Sequence, residues 1–260
     1  MGVVLADGLL AAGWEPSELV LVARREERRR EVEKSTGVVC LLDPAVAVSG
    51  RNVVVIAVKP GDVPALLARC AGAITSDQVV ISLAAGIPTT LLEGALGEVP
   101  VVRVMPNTPA QISQAITAIA PGAHAGAGAV ATAHTVLGAV GETIDLDESL
   151  LDAVTAVSGT GPAYVFILAE ALVESAIREG LPWHAAERLV TQTIRGAGML
   201  LAASDLSPAR LRAQVTSPGG TTAAAVHILE ERGFRALVED AVRAAAQRSR
   251  QLGERAARPG

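Results

Sequence analysis

The sequence predicts an α/β domain built on a parallel sheet, followed by an all-helical domain. Two patterns carry this. Up to residue 147, short β-branched runs alternate with helical segments, the spacing of βαβ units. After Asp147 the strand signals stop, and from Leu150 onward the chain reads as helix almost to its end. Composition agrees: half the residues are apolar but only 2% are aromatic, so the core is mostly Ala, Val and Leu, which suits buried parallel strands and close-packed helices.

The elements follow in order. Val3 to Ala12 reads as a helix stopped by Gly13, and Leu19 to Val22 as a short strand. The charged run Arg24 to Lys34 reads as a solvated helix, since glutamates interrupt its arginines. Val38 to Leu41 is a second apolar run. Val53 to Val58 is the strongest, and its lack of alternation predicts a strand buried on both faces. Asp62 to Ala71 is helical, Val79 to Ser82 and Val101 to Val104 are strands, and a short helix near Thr89 to Leu92 lies between them. Thr117 to Ala120 and Thr143 to Asp145 add edge strands around an Ala-rich helix, Ala125 to Val140. The expected domains are 1–147 and 148–260, with helix breaks at Gly159 to Pro162, Gly180 to Pro182, Ser204 to Pro208 and Ser217 to Gly220, and a frayed tail from Arg255 to Gly260.

Several function classes are disfavoured. A net charge of −5 with no basic stripe, and one Tyr, two Phe and two Trp, speak against nucleic-acid binding by stacking. His124, His134, His184 and His227 are scattered without ligand spacing, so no metal site is expected. Cys40 and Cys70 form no CxxC and read as small core hydrophobes in a reduced compartment. No apolar run approaches a bilayer span, and the apolar start is broken by Asp7 without a basic leader, so a cytoplasmic protein with no membrane partner is expected.

Three loops carry the chemistry. Val58-Lys59-Pro60 follows the strongest strand, and Lys59 and Lys34 are the only lysines among 22 basic residues. Open α/β sheets bind ligands at the carboxyl ends of their strands, although a loop lysine with no role fits the position equally well. Met105 to Pro109 brackets Asn107 with two prolines, which makes a stiff loop suited to a carboxamide or phosphate, or an ordinary rigid turn. Thr216-Ser217-Pro218-Gly219-Gly220-Thr221-Thr222 opens a helix. Its glycines and hydroxyls beside unpaired helix-start N–H groups favour a carboxylate site over a plain cap.

With these loops placed, the chain resembles the pyrroline-5-carboxylate reductases over essentially its whole length. The resemblance runs through AVKPGDV (57–63), SLAAGI (82–87), VRVMPNTP (102–109), LDAVTAVSGTGPAYVF (151–166), VTSPGGTT (215–222) and GFRALVEDAVRAAAQRSRQLG (233–253). It implies a Rossmann-like NAD(P)-binding domain, then a helical substrate-binding and dimerisation domain. It also implies reduction of 1-pyrroline-5-carboxylate to L-proline, the last step of proline biosynthesis, in a homodimer or larger ring of dimers. By the same resemblance Thr222 is the catalytic hydroxyl near the imine nitrogen. Ser217, Gly219, Gly220, Thr221 and Thr222 bind the substrate, with Asp205 beside its amine or simply ending a helix. Gly2, Val58, Lys59, Pro60, Ala85 and Asn107 match cofactor positions. Arg24 and Arg25 follow the second strand of the family's nucleotide-binding fold, where arginines suit the 2′-phosphate of NADPH, preferred over NADH, or form a basic surface helix.

One departure stands out. Family members begin with a strand and a GxGxMG turn, whereas Met1-Gly2 aligns with the end of that turn, so the first strand and early glycines are expected to be missing. The expected result is an apolar slot in the sheet and weak dinucleotide binding, relieved by about 10–15 upstream residues if translation starts earlier. Two alternatives stay open: a degenerate non-catalytic paralogue, and another dinucleotide-dependent dehydrogenase with a helical second domain. The second would need a Lys or His base in that domain, and no Lys follows Lys59.

Overall fold

The structure, a computed structural model, describes residues 1–70 and 72–256. Ala71, the expected end of one helix, and the terminal residues 257–260 lie outside the described residues. Two compact units are present: 1–160 together with 244–260, and 161–243.

In the first unit, α1 (Gly2–Ala11) precedes β1 (Leu21–Val22), α2 (Glu26–Thr36) and β2 (Cys40–Leu41). α3 (Pro44–Val48), β3 (Val53–Ile56), α4 (Val63–Arg69) and β4 (Val79–Ser82) follow. Then come α5 (Thr89–Leu96), β5 (Val101–Met105), β6 (Ala115–Pro121), α6 (Ala127–Gly138) and β7 (Gly141–Asp145). α7 (Leu151–Val154) ends this run and passes into a single π-helical turn, Thr155–Gly159.

Sequence chemistry explains the local boundaries. α2 carries Glu26 and Glu27 in its first turn, Lys34 in its last, and stops at Gly37 in the left-handed region (φ 72). α3, absent from the sequence reading, starts where Asp43 accepts a 3.0 Å hydrogen bond from the Ala45 N–H and Pro44 pre-sets the first turn.

The strands form two separate sheets, β1-β2 and β3-β4-β5-β6-β7. β1 pairs with β2 in parallel, and so do β3 with β4, β4 with β5 and β6 with β7. β6 runs antiparallel to β5, Val104 opposite Ile119. Residues 106–114 join that pair; a parallel connection needs a crossover of about a dozen residues or more, so this loop is too short for one. No ladder joins β1-β2 to β3 among the described residues.

The five-stranded sheet is covered on both faces. One face packs Ile81, Val102, Val104 and Ile119 against Leu5 and Leu9 of α1 and Val136 and Leu137 of α6. The other packs Val54, Ile56, Val80 and Val101 against Val63 and Leu67 of α4 and Leu92 of α5. The expectation for β3 needs correction. It ends at Ile56 and alternates half-buried with buried residues, because it stands at the edge of its sheet; β4 and β5, flanked on both sides, are the more deeply buried strands. Cys40 and Cys70 are both free and buried, and burial raises their thiol pKa values.

The second unit is helical: α8 (Gly161–Arg178), α9 (Trp183–Ala203), α10 (Pro208–Gln214), α11 (Thr221–Glu231) and the start of α12 (Phe234–Ala256). α10 begins at Ser207, whose Oγ accepts from the Arg210 N–H at 3.4 Å, with Pro208 in the first turn. Contrary to the sequence expectation, the helical stretch Glu148–Arg178 is long and apolar enough, by length and composition, to cross a membrane. Glu148, Asp152, Glu170, Glu174 and Arg178 are spread along this stretch, so it is apolar on average without holding an unbroken apolar run of spanning length.

Candidate functional site

Residues 58–60, 85 and 107 follow β3, β4 and β5, three parallel neighbours. Parallel pairing puts their carboxyl ends on one edge of the sheet, where doubly wound folds bind ligands. Lys59 is exposed there, Val58, Pro60 and Ala85 are half-buried, and Asn107 is buried. Arg24 and Arg25 follow β1 and are exposed.

Gly2 opens α1 beside the residue after β3. A Cβ at Gly2 would sit 3.1 Å from the Ala57 Cβ, so glycine allows this close approach. No side chain caps α1, which leaves its first N–H groups available to an anion. An uncapped helix start and two arginines on the strand edges form a donor set that fits the phosphates of a dinucleotide.

The arginines divide into two kinds. Arg28 pairs with Glu31, Arg29 with Glu26 and Glu33, and Arg30 with Glu26, all within α2. Hydrogen bonds from Arg29 and Arg30 hold the exposed Glu26 carboxyl at a pKa of about 2. Arg24 instead reaches out of its own βα unit, 3.1 Å from Asp62 Oδ2 at the start of α4. In the sequence Asp62 reads only as a helix start; nothing in the residue order signals its pairing with Arg24. Arg25 has no salt bridge among the described residues.

Asn107 is tied on both ends of its amide. Oδ1 accepts the Ile116 N–H at 3.1 Å, and Nδ2 donates to Ser158 Oγ at 3.3 Å. Ser158 lies in the π-helical turn, a feature frequent at functional sites. Gly159 in the same turn faces Met105, whose Cε would be 2.6 Å from an added Cβ. Sequence reasoning missed the partnership of Asn107 with Ser158, because 51 residues separate them.

The loop after β4 is fixed from outside. Gly86 has φ +74, and a Cβ there would be 2.9 Å from the Gly253 backbone nitrogen, so the end of α12 packs directly on this turn. Ser249, one turn earlier on α12, donates 2.6 Å to Asp152.

The remaining candidates, Asp205, Ser217, Gly219, Gly220, Thr221 and Thr222, belong to the second unit. Gly220 is the N-cap of α11, and Thr221 and Thr222 are its first two helical residues. No side chain caps this helix, so neither threonine is spent as its N-cap. Gly219 has φ +70, a backbone state that glycine adopts freely, and the Gly220 N–H donates to the Ser217 carbonyl at 3.0 Å. A Cβ at Gly220 would meet Ser217 Oγ at 2.5 Å. Glu230 of α11 is held by Arg235 and by Arg212 of α10, and the Arg235 hydrogen bond lowers its pKa. Asp205 is exposed between α9 and α10. Among the described residues no cluster of His, Cys, Asp and Glu could hold a metal ion.

Residues 148–252 match the family model described as pyrroline-5-carboxylate reductase dimerisation. Residues 1–86 match one described as NADP oxidoreductase, coenzyme F420-dependent. A pyrroline-5-carboxylate reductase from Pseudomonas aeruginosa is 41% identical over 98% of this chain and 94% of its own length. One from Methanosarcina acetivorans is 38% identical over 98% and 95%. The solved pyrroline-5-carboxylate reductase of Coxiella burnetii superposes with a TM-score of 0.88 at 34% identity, covering 96% of this chain and 94% of that one. The pyrroline carboxylate reductase of Plasmodium falciparum, solved with NADP bound, gives 0.87 at 27% identity, covering 97% and 94%.

Proposed function

The chain belongs to the pyrroline-5-carboxylate reductase family, and from this premise we propose that it reduces 1-pyrroline-5-carboxylate to L-proline with NADPH, or with NADH, as the closing step of proline biosynthesis. In this reading residues 1–147 act as the cofactor domain, and 148–260 bind substrate and pair with a second copy. The protein works in the cytoplasm as a homodimer, itself able to join a larger ring of dimers.

One observation carries the substrate reading: α11 starts at a glycine with no side-chain cap, amid the hydroxyls of Ser217, Thr221 and Thr222. Free N–H groups at a helix start attract a carboxylate, and Gly219 and Gly220 let it approach the backbone. The Thr222 hydroxyl holds the proton of the imine nitrogen, and Asp205 favours the charged ring amine. Val58, Lys59, Pro60, Ala85 and Asn107 seat the nicotinamide and its ribose, Gly2 and the start of α1 take phosphate, and Arg24 and Arg25 take the 2′-phosphate. A bound dinucleotide supplies the hydride for the imine carbon. A protonated imine is already electrophilic, so orientation of the two reactants supplies most of the acceleration.

The test is NADPH oxidation, followed by absorbance, with 1-pyrroline-5-carboxylate as substrate. Thr222→Ala is expected to lower kcat/KM by roughly 10²-fold, the low end for loss of a proton-handling group, while Thr222→Ser keeps most of the activity. Full activity in Thr222→Ala, or no oxidation by the parent protein with this imine, refutes the assignment.

A further inference from the structure

The Arg24–Asp62 pair points to a residue that sets cofactor choice. We propose that Asp62 is a specificity-determining residue that weakens discrimination between NADPH and NADH by holding Arg24 away from a 2′-phosphate. The inference rests on the cofactor reading of the β1 edge given above, and not on the identity of the imine substrate.

The geometry is specific to these residues. Arg24 follows β1, where a parallel nucleotide-binding sheet reads the ribose 2′ position. Its guanidinium lies 3.1 Å from Asp62 Oδ2 in the turn between β3 and α4, whereas the arginines further along α2 are neutralised by glutamates of their own helix. Both partners are accessible, at 72% and 38% of their side-chain surface, so a ligand can compete for Arg24. A 2′-phosphate brings nearly two negative charges to a guanidinium that already serves a carboxylate. It must then displace Asp62 or share Arg24 with it, and either costs binding energy. NADH brings no anion there, and the pair persists with the arginine compensated. Arg25, which has no salt bridge among the described residues, is left as the arginine a 2′-phosphate meets without competition.

Dissociation constants for NADPH and NADH, measured by nicotinamide fluorescence in the absence of substrate, test this. Asp62→Asn is expected to bind NADPH roughly fivefold more tightly at low ionic strength and NADH with unchanged affinity, the NADPH gain shrinking as salt screens the site. Arg24→Ala should weaken NADPH binding and remove most of the gain from an added Asp62→Asn, with melting temperatures verifying that every variant is folded. Unchanged or weaker NADPH binding by Asp62→Asn overturns the proposal. So does a gain kept whole in the Arg24→Ala background, which would mean that Asp62 does not act through Arg24. Failure of every variant to bind either dinucleotide overturns it as well. A protein that shows the expected affinities yet leaves 1-pyrroline-5-carboxylate unreduced refutes the substrate assignment alone.

Discussion

At the scale of single residues, Asn107 combines a structural duty with a proposed ligand role. Its carbonyl satisfies the Ile116 N–H at the start of β6, and its amide nitrogen reaches Ser158, so the side chain joins three segments of the first unit. Nδ2 has two hydrogens, and the bond to Ser158 uses one of them. Removing the amide leaves the half-buried Ile116 N–H without its acceptor. Asn107→Ala should therefore cost about 1–3 kcal/mol of stability, read from chemical denaturation, in addition to any loss of cofactor affinity. Weakened NADPH binding at undiminished stability would contradict the structural duty. The sequence made this loop legible as stiff and strand-terminal, because two prolines and a preceding apolar run are local signals. Ile116 and Ser158 were not legible, being set by the antiparallel turn of β6 and by the π-helical segment. The same limit applies to Asp62, whose distant ion pair leaves no trace in residue order.

At the scale of elements, α5 shows how a helix start can be completed from afar. Pro88 occupies its N-cap position and no local side chain caps it. Glu148, 59 residues later, accepts the Thr89 N–H at 2.8 Å and the Thr89 hydroxyl at 2.6 Å, and also pairs with Arg103 of β5 at 3.1 Å. The Arg103 side chain is only 9% exposed, so Glu148 compensates a charge inside the sheet as well as a helix end. Glu148→Ala should cost about 2–3 kcal/mol, below the range for a fully buried pair because Glu148 is partly solvated. Glu148→Gln, which can still accept at Thr89, should cost less; equal losses in denaturation experiments would mean that the charge alone matters. The strand Val101–Met105 was readable despite its arginine, since three valines outweigh one polar residue in a β-branched run. α3, only five residues long, was not, because so short a helix rests on Asp43 and Pro44 rather than on periodicity.

At the scale of the whole molecule, the apolar surface of the second unit requires a partner. α8 has 18 residues and buries none of them in the chain, while α9 buries only Ala186 and Val190. Phe166 and Ile167 on α8 and Met199 and Leu200 on α9 are each 57–66% exposed. An amphipathic helix normally buries its apolar stripe, and patches this extensive mark association surfaces. The apolar stretch Glu148–Arg178 has the same explanation, since it begins the region matched by the dimerisation model. The protein should therefore sediment as a dimer or a multiple of one, with a melting temperature that rises with concentration because association stabilises the folded chain. Ile167→Asp places a charge on that surface and should yield monomers with a lower, concentration-independent melting temperature and little imine reductase activity. A parent protein that sediments as a monomer at micromolar concentration, or an Ile167→Asp protein that still pairs, would show that this surface is covered by something other than a second copy.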